Sequence, residues 1–167
     1  MSSTTQPEVT PAVSTLAATA SAYIHVFTTL DMNTLSKILS DDYKHEFAPA
    51  STNLPGPIDR DAYMARLNLI REVMSNFPVK IRQTWPNPSL RQVLVWADSE
   101  TNFHDYLRDN DDKEEWKMKG EYMFLLTMDE SGEKVEHALE FLDSKATADI
   151  TDLVGRAINR KKLLSES

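Results

Sequence analysis

The residues best suited to chemistry in this chain are acidic and histidine side chains in segments with strand-like alternation. Asp143 ends a segment in which Val135, Leu139 and Phe141 share its parity. If that face of the strand is concave, the carboxylate lies at an apolar pocket and is placed for general acid or base catalysis. The same position, beside Ser144, suits the N-terminal cap of a following helix. Catalysis and capping both remain open for Asp143.

Two glutamates on neighbouring segments are further candidates for a catalytic carboxylate. Glu140 has the opposite parity to Asp143, and Glu121 shares a parity with Met123 and Leu125. A β-bulge, which is common in long curved strands, would exchange the two faces. Either glutamate therefore enters a pocket or lies on the solvent-facing side of an antiparallel sheet.

The histidines differ in their expected surroundings. His45 lies between Tyr43 and Phe47 at a period of two, and a histidine in such a position can transfer protons near neutral pH. His104 is expected to lie either in a polar pocket wall or on the solvent-exposed outer face of a sheet. His25 is predicted to face solvent, because it lies opposite the apolar stripe of its helix.

Aromatic side chains at strand and helix spacings predict an apolar core or a pocket for a small molecule. Ligand pockets are mostly apolar with few polar groups, so part of this set is expected to bind substrate. Tyrosine hydroxyls in the set could orient a carbonyl or stabilise an enolate oxygen. The candidate substrate-binding residues are Tyr23, Phe27, Tyr43, Tyr63, Trp96, Tyr122, Phe124 and Phe141.

Composition excludes several function classes. The chain has 167 residues with 18 basic and 26 acidic side chains, a formal charge of −8 and no cysteine. This charge disfavours nucleic acid and anionic membranes as partners, and the lack of cysteine excludes disulfides and thiolate catalysis. No HExxH motif, calcium loop, phosphate-binding glycine pattern or GxSxG elbow is present. We therefore expect no metal site and chemistry without a cofactor.

The spacing of apolar residues predicts the order of the elements. A first helix is expected at 15–30. A short second helix is expected to begin after the cap Asp31 and to end near Ser40, and a third, capped by Asp59, to include residues up to Phe77. Strands are predicted around 43–47, 79–81 and 93–104 and in a long hairpin over 120–144. A rigid turn is expected at 85–89, a mobile connection at 105–117 and a last helix at 146–164.

This order predicts an α+β domain in which helices cover one face of a curved, mostly antiparallel sheet. We expect residues 1–12 to be a disordered tail and residues 13–164 to form a single domain. The N-terminus has no basic start and no apolar segment long enough to span a membrane, so a cytoplasmic protein is expected.

Several segments resemble SnoaL-like members of the nuclear transport factor two-like superfamily, of the fungal type associated with secondary metabolism. They are the end of the first helix at Leu30-Asp31-Met32, the segment 42–51, Glu121-Tyr122-Met123-Phe124 and Glu140-Phe141-Leu142-Asp143-Ser144. The resemblance spans about residues 14 to 150. It implies a cone-shaped α+β barrel with an apolar pocket between helices and concave sheet, commonly in a homodimer. In the bacterial polyketide cyclases that this fold resembles, an aspartate near this strand end acts as the base, and the resemblance implies that role for Asp143.

The leading hypothesis is a cofactor-independent isomerase, cyclase or dehydratase acting on a polyketide- or terpenoid-like intermediate. A pocket carboxylate and a histidine would move protons, with a hydrophobic small molecule as substrate. The alternative is a non-catalytic dimeric binding or scaffolding module of the same fold. Epoxide hydrolysis would require an aspartate–arginine–aspartate cluster, for which no spacing provides evidence, although Asp98 and Arg66 remain candidates.

Overall fold

The computed structural model describes residues 10–166 as four helices and eight strands. The helices are α1 (Val13–Thr29), α2 (Met32–Ile38), α3 (Arg60–Val73) and α4 (Ser144–Ser165). The strands are β1 (Leu39–Ala48), β2 (Ile58–Asp59), β3 (Met74–Asn76), β4 (Val79–Asn87), β5 (Gln92–Glu100), β6 (Asn102–Phe103), β7 (Lys119–Met128) and β8 (Val135–Leu142). The predicted tail falls largely on residues 1–9, which lie outside the described residues.

Six strands form one curved sheet in the order β2-β1-β8-β7-β5-β4, and β3 pairs with β6 in a separate ribbon. The pairs in the large sheet are antiparallel except β1 with β8, which run parallel. The sheet curves without closing, so the architecture is an open α+β cone and not a complete barrel. The predicted fold class is confirmed, with a mixed sheet as its detail.

The helices begin and end where their end residues satisfy free backbone groups. Asp31 and Asp59 accept hydrogen bonds from backbone N–H groups at the starts of α2 and α3, as their spacing predicted. The first helix ends at Thr29, and the residue that caps it, Leu30, adopts a left-handed conformation with φ 50°. In the part of the chain that the structure describes, no helix is both long and apolar enough to cross a bilayer.

Several predicted boundaries are wrong. The strand predicted over 93–104 ends at Glu100, and β6 follows it in the separate ribbon. The third helix stops at Val73 and does not reach Phe77, because the chain then forms β3 and pairs with β6. The strand predicted at 79–81 continues to Asn87, since its full length pairs with β5. The second helix ends at Ile38, two residues before the predicted end near Ser40, because β1 begins at Leu39.

The segment 105–117 was predicted to be a mobile connection, but it is anchored to α4. Trp116 is 2% exposed, and its indole Nε1 donates to Asn110 at 3.1 Å. Arg156 of α4 lies over the Trp116 ring and makes ion pairs with Asp109 and Glu115. One buried tryptophan and one arginine therefore hold this charged segment.

Alternation along each strand divides the large sheet into an inner and an outer face. In β5, Val95 and Ala97 are buried on the inner face, while Trp96 and Asp98 between them are partly exposed on the outer face. The inner face packs on α1 and forms the main core with it. The open end of the cone, between the sheet, α3 and α4, is where a cavity remains.

Candidate active site

A cavity of about 240 Å³ lies between the inner face of the sheet and the helices α3 and α4. Its wall is mostly apolar, which is typical of small-molecule sites. Glu140 and Arg66 are the two ionisable groups of opposite charge in the wall. The other lining residues are Phe27, Phe47, Leu54, Tyr63, Leu67, Leu69, Ile70, Met74, Phe77, Tyr122, Leu142, Thr147, Ile150, Thr151 and Val154.

Glu140 is held by His45 across the parallel β1–β8 pair. The Nε2 atom of His45 lies 2.9 Å from Oε2 of Glu140, and the two side chains are 0% and 9% exposed. Glu140 pairs in register with Phe47, two residues beyond His45 on the same face of β1. The pairing therefore places a buried carboxylate in the cavity wall with a buried imidazole behind it.

Three buried tyrosines extend this pair into a chain of hydrogen bonds. The hydroxyl of Tyr43 lies 2.7 Å from Nδ1 of His45 and 2.8 Å from the hydroxyl of Tyr23. The hydroxyl of Tyr23 lies 2.9 Å from that of Tyr63, whose ring stacks on His45 with centroids 4.2 Å apart. Since Tyr63 and Glu140 both line the cavity, both ends of the chain reach it.

Burial keeps the hydroxyls of this chain protonated. It raises the pKa of Tyr23, Tyr43 and Tyr63 above the ordinary value for tyrosine. Each tyrosine then has one hydrogen to donate. When Glu140 is ionised and His45 is neutral, His45 donates from Nε2 to the carboxylate, and its Nδ1 accepts from Tyr43. Tyr43 in turn accepts from Tyr23, and the chain fixes the imidazole orientation behind the carboxylate.

The other candidate carboxylates and His104 lie outside the cavity. Asp143 caps α4, accepting from the backbone N–H groups of Lys145 and Ala146 at 3.1 Å. The side chain of Glu121 is 57% exposed and lies 3.6 Å from Arg82 on the outer face. His104 is bonded to the backbone carbonyl of Arg71. Of the five predicted catalytic residues, Glu140 and His45 meet at this cavity, whereas Glu121 and Asp143 line a separate, more open pocket with Trp96 and Phe141.

The predicted substrate-binding aromatics divide between the cavity, the core and the outer face. Phe27, Tyr63 and Tyr122 line the cavity, and burial raises the pKa of Tyr122 to about 12. The remaining five do not line it. Tyr23, Tyr43 and Phe124 are buried in the core; on the outer face, Trp96 is partly exposed and Phe141 is 51% exposed.

Arg66 is the cavity residue whose position sequence reasoning missed, having considered it only as the partner of Asp98. Asp98 pairs instead with Arg82 on the outer face. The missed signal is helical spacing: Arg66 follows Tyr63 by three residues and precedes Ile70 by four, which places all three on one face of α3. The predicted histidine His25 is exposed, as expected.

Among residues 10–166, no group of three or more histidine, cysteine, aspartate or glutamate side chains is arranged to hold a metal ion. Comparison of the chain with protein-family models and with curated proteins gives no match. Solved structures, in contrast, match it over most of its length.

Three of these structures indicate the fold. BvnE pinacolase from Penicillium brevicompactum has a TM-score of 0.73 and 17% identity, over 87% of this chain and 97% of its own. An LEH-like epoxide hydrolase from M. tuberculosis has a TM-score of 0.63 and 14% identity, over 94% and 96%. An NTF2-like protein of unknown function from Burkholderia pseudomallei has a TM-score of 0.62 and 10% identity, over 84% and 97%. Two of the three are named as enzymes, and the fold carries diverse reactions. The chain therefore has the cone-shaped α+β fold of NTF2-like proteins, the fold that its sequence segments resemble.

Proposed function

We propose that this protein is a cofactor-independent enzyme that isomerises, cyclises or dehydrates an apolar small molecule by acid–base proton transfer. The observation that supports the proposal is the Glu140–His45 pair, 2.9 Å apart, in the wall of an otherwise apolar cavity. A polyketide- or terpenoid-like intermediate of secondary metabolism is the proposed kind of substrate, and the resemblance of the sequence to fungal SnoaL-like proteins supports this choice.

Glu140 is the proposed base. Its Oε2 atom is held by His45, and a carboxylate has a second oxygen that can take a substrate proton. Apolar walls around the carboxylate exclude water and so strengthen its interactions with a bound substrate. The hydrogen-bonded tyrosines behind His45 keep the imidazole in one orientation, which positions the carboxylate before the substrate arrives.

Proton removal can be tested without knowing the natural substrate. Ketones with apolar bodies are incubated with the protein in D₂O, and proton NMR follows the exchange of their α-protons for deuterium. Exchange above the buffer rate in the wild type, lost in Glu140→Gln, supports the proposal. Ketones that bind but do not exchange, or exchange that survives in Glu140→Gln, contradict it and favour a non-catalytic binding module.

A homodimer formed through the outer face of the sheet is a second part of the proposal. Large apolar side chains remain exposed there, with Trp85 46% and Phe141 51% exposed. Phe141 pairs with Met123 and Met123 with Trp96, so partly exposed apolar side chains adjoin across three strands of this face. Such a surface is typical of protein interfaces. Light scattering at micromolar concentration is expected to give twice the mass of the chain, and Phe141→Asp to give a monomer. A wild-type monomer would contradict the proposal.

A further inference from the structure

Arg66 places a positive charge in the cavity that the proposed proton transfer does not yet use. It lines the cavity from α3, and its guanidinium carbon lies 5.0 Å from the centre of the Phe47 ring. Within residues 10–166, the ion pairs involve other arginines: Arg82, Arg108 and Arg156. Arg66 thus has an aromatic ring beneath it and no carboxylate within ion-pair distance in the described part of the chain.

The two charges in the cavity wall do not neutralise each other. Arginine keeps its proton under all ordinary conditions, and a guanidinium at an apolar wall needs acceptors from water or a ligand. Glu140 is hydrogen-bonded to His45, and among the described residues no ion pair joins it to Arg66. The guanidinium of Arg66 and the carboxyl group of Glu140 therefore line one cavity without forming an ion pair with each other.

We propose that Arg66 binds the carbonyl oxygen of the substrate, which defines the substrate class as enolisable ketones and aldehydes with an apolar body. This inference rests on the proposed function of Glu140. Glu140 takes a proton from the α-carbon, the C–H electron pair becomes the C=C bond, and the carbonyl π-electrons move to oxygen. The guanidinium of Arg66 donates hydrogen bonds to that enolate oxygen, and protonated Glu140 returns the proton to a carbon of the enolate.

The three tyrosines of the hydrogen-bonded chain behind His45 do not compete for this role. Tyr23 and Tyr43 are 0% exposed and are absent from the cavity wall, and their hydroxyls are bonded to each other. The hydroxyl of Tyr63 is bonded to that of Tyr23. Arg66 is the charged donor in the cavity wall, with several N–H groups and an aromatic ring beneath it, and is therefore suited to polarise a carbonyl.

Two probes that differ in one oxygen test the inference by binding alone. 2-Acetylnaphthalene carries the ketone and 2-ethylnaphthalene has the same ring and chain without it, and equilibrium dialysis measures both dissociation constants. Arg66→Met is expected to weaken binding of the ketone by about 10- to 100-fold, the range for a hydrogen bond to a charged group. Binding of 2-ethylnaphthalene is expected to be nearly unchanged, and Arg66→Lys to recover part of the ketone affinity.

Arg71→Met is the matched control, because Arg71 is exposed on the same helix and does not line the cavity. Thermal unfolding of every variant shows that the fold is retained. Equal weakening of both probes in Arg66→Met would overturn the inference and make Arg66 a packing residue. No weakening of either would overturn it as well.

The same ketone separates failure of this inference from failure of the proposed function. If Arg66 controls ketone binding but the wild type does not exchange the methyl protons for deuterium, the carbonyl-binding role stands and the proposed enzymatic function fails. If exchange requires Glu140 but proceeds at the wild-type rate in Arg66→Met, the proposed function stands and the role of Arg66 is wrong.

Discussion

Two histidine–glutamate pairs lie on the same β1–β8 ladder, one on each face of the sheet. On the inner face His45 and Glu140 are 2.9 Å apart, with side chains 0% and 9% exposed. On the outer face His137 and Glu46 are 3.4 Å apart, with side chains 35% and 46% exposed. His45 and Glu46 are neighbours in β1, so the alternation of a strand sends them to opposite faces.

The comparison shows that surroundings, not residue types, make one pair a candidate for catalysis. An exposed pair is screened by water and stabilises a protein by roughly 0–1 kcal/mol. A buried pair interacts more strongly, and removing one partner leaves the other without compensation. The inner pair also continues into hydroxyl groups of buried tyrosines, of which Tyr43 contacts His45 directly. The outer pair is therefore a natural control for the inner one.

The largest expected difference between the two pairs is in activity. Glu140→Gln is expected to lower the rate of deuterium exchange by about 100- to 10,000-fold, the usual contribution of a positioned base. Glu46→Gln is expected to leave the rate unchanged, since Glu46 lies on the outer face. Proton NMR measures both rates with the same ketone. Similar losses in the two variants would show that the inner face has no special role.

The second difference is in stability. His45→Ala leaves a buried carboxylate without its partner and is expected to lower the free energy of unfolding by about 3–5 kcal/mol. His137→Ala is expected to cost less than about 1 kcal/mol, because its partner Glu46 remains hydrated. Urea unfolding followed by circular dichroism gives both values. If the two variants lose the same stability, the burial argument is wrong.

The third difference appears at alkaline pH and concerns the tyrosines behind the inner pair. Burial raises the pKa of Tyr63 in the folded state, so above the unfolded value of about 10 the unfolded chain releases this proton and the folded protein keeps it. This contribution to stability is complete below that pH and falls as pH rises through it, with a slope that approaches about 1.4 kcal/mol per pH unit for each such tyrosine once the unfolded tyrosine is ionised. Tyr63→Phe is expected to reduce the total loss of stability between about pH 9 and 11 by roughly 1.4 kcal/mol.

Urea unfolding at several values between about pH 9 and 11 gives the slope for each variant. Tyr106→Phe is the control, since Tyr106 is 60% exposed and its removal is expected to leave the slope unchanged. A slope that is the same in wild type and Tyr63→Phe would mean that Tyr63 ionises normally in the folded protein.

Sequence reasoning predicted the fold class and the alternation of β8 but not which face is concave. Phe141 suggested an apolar inner face, yet it is exposed, while Glu140 faces inward with Ala138 and Leu142. The choice between faces is made by the helices that cover the sheet, and alternation alone carries no information about them. Because the register shifts between β7 and β8, Val135 lies on the inner face, although it has the same parity as Phe141 on the outer face.

The helix caps that were predicted correctly depend on local sequence signals. Asp31 and Asp59 were predicted as caps because a cap depends only on the next few residues. The pairing of His45 with Glu140 spans 95 positions and depends on a parallel strand pair, which no local pattern predicts. His45 was predicted from its neighbours and Glu140 was one of three candidate carboxylates, but the structure was needed to show which carboxylate His45 contacts.

The smallest expected effect concerns Asp143, which the sequence left between catalysis and capping. Its carboxylate accepts from two backbone N–H groups at the start of α4. Asp143→Ala is therefore expected to lower the free energy of unfolding by about 1 kcal/mol, the typical cost of losing a cap, and Asp59→Ala in α3 to cost a similar amount. Asp143→Asn separates the two roles, because asparagine caps a helix well but cannot act as a base. We expect Asp143→Asn to keep both the stability and the rate of deuterium exchange. If the variant lost exchange and kept its stability, Asp143, on the outer side of the sheet, would be the catalytic carboxylate in place of Glu140.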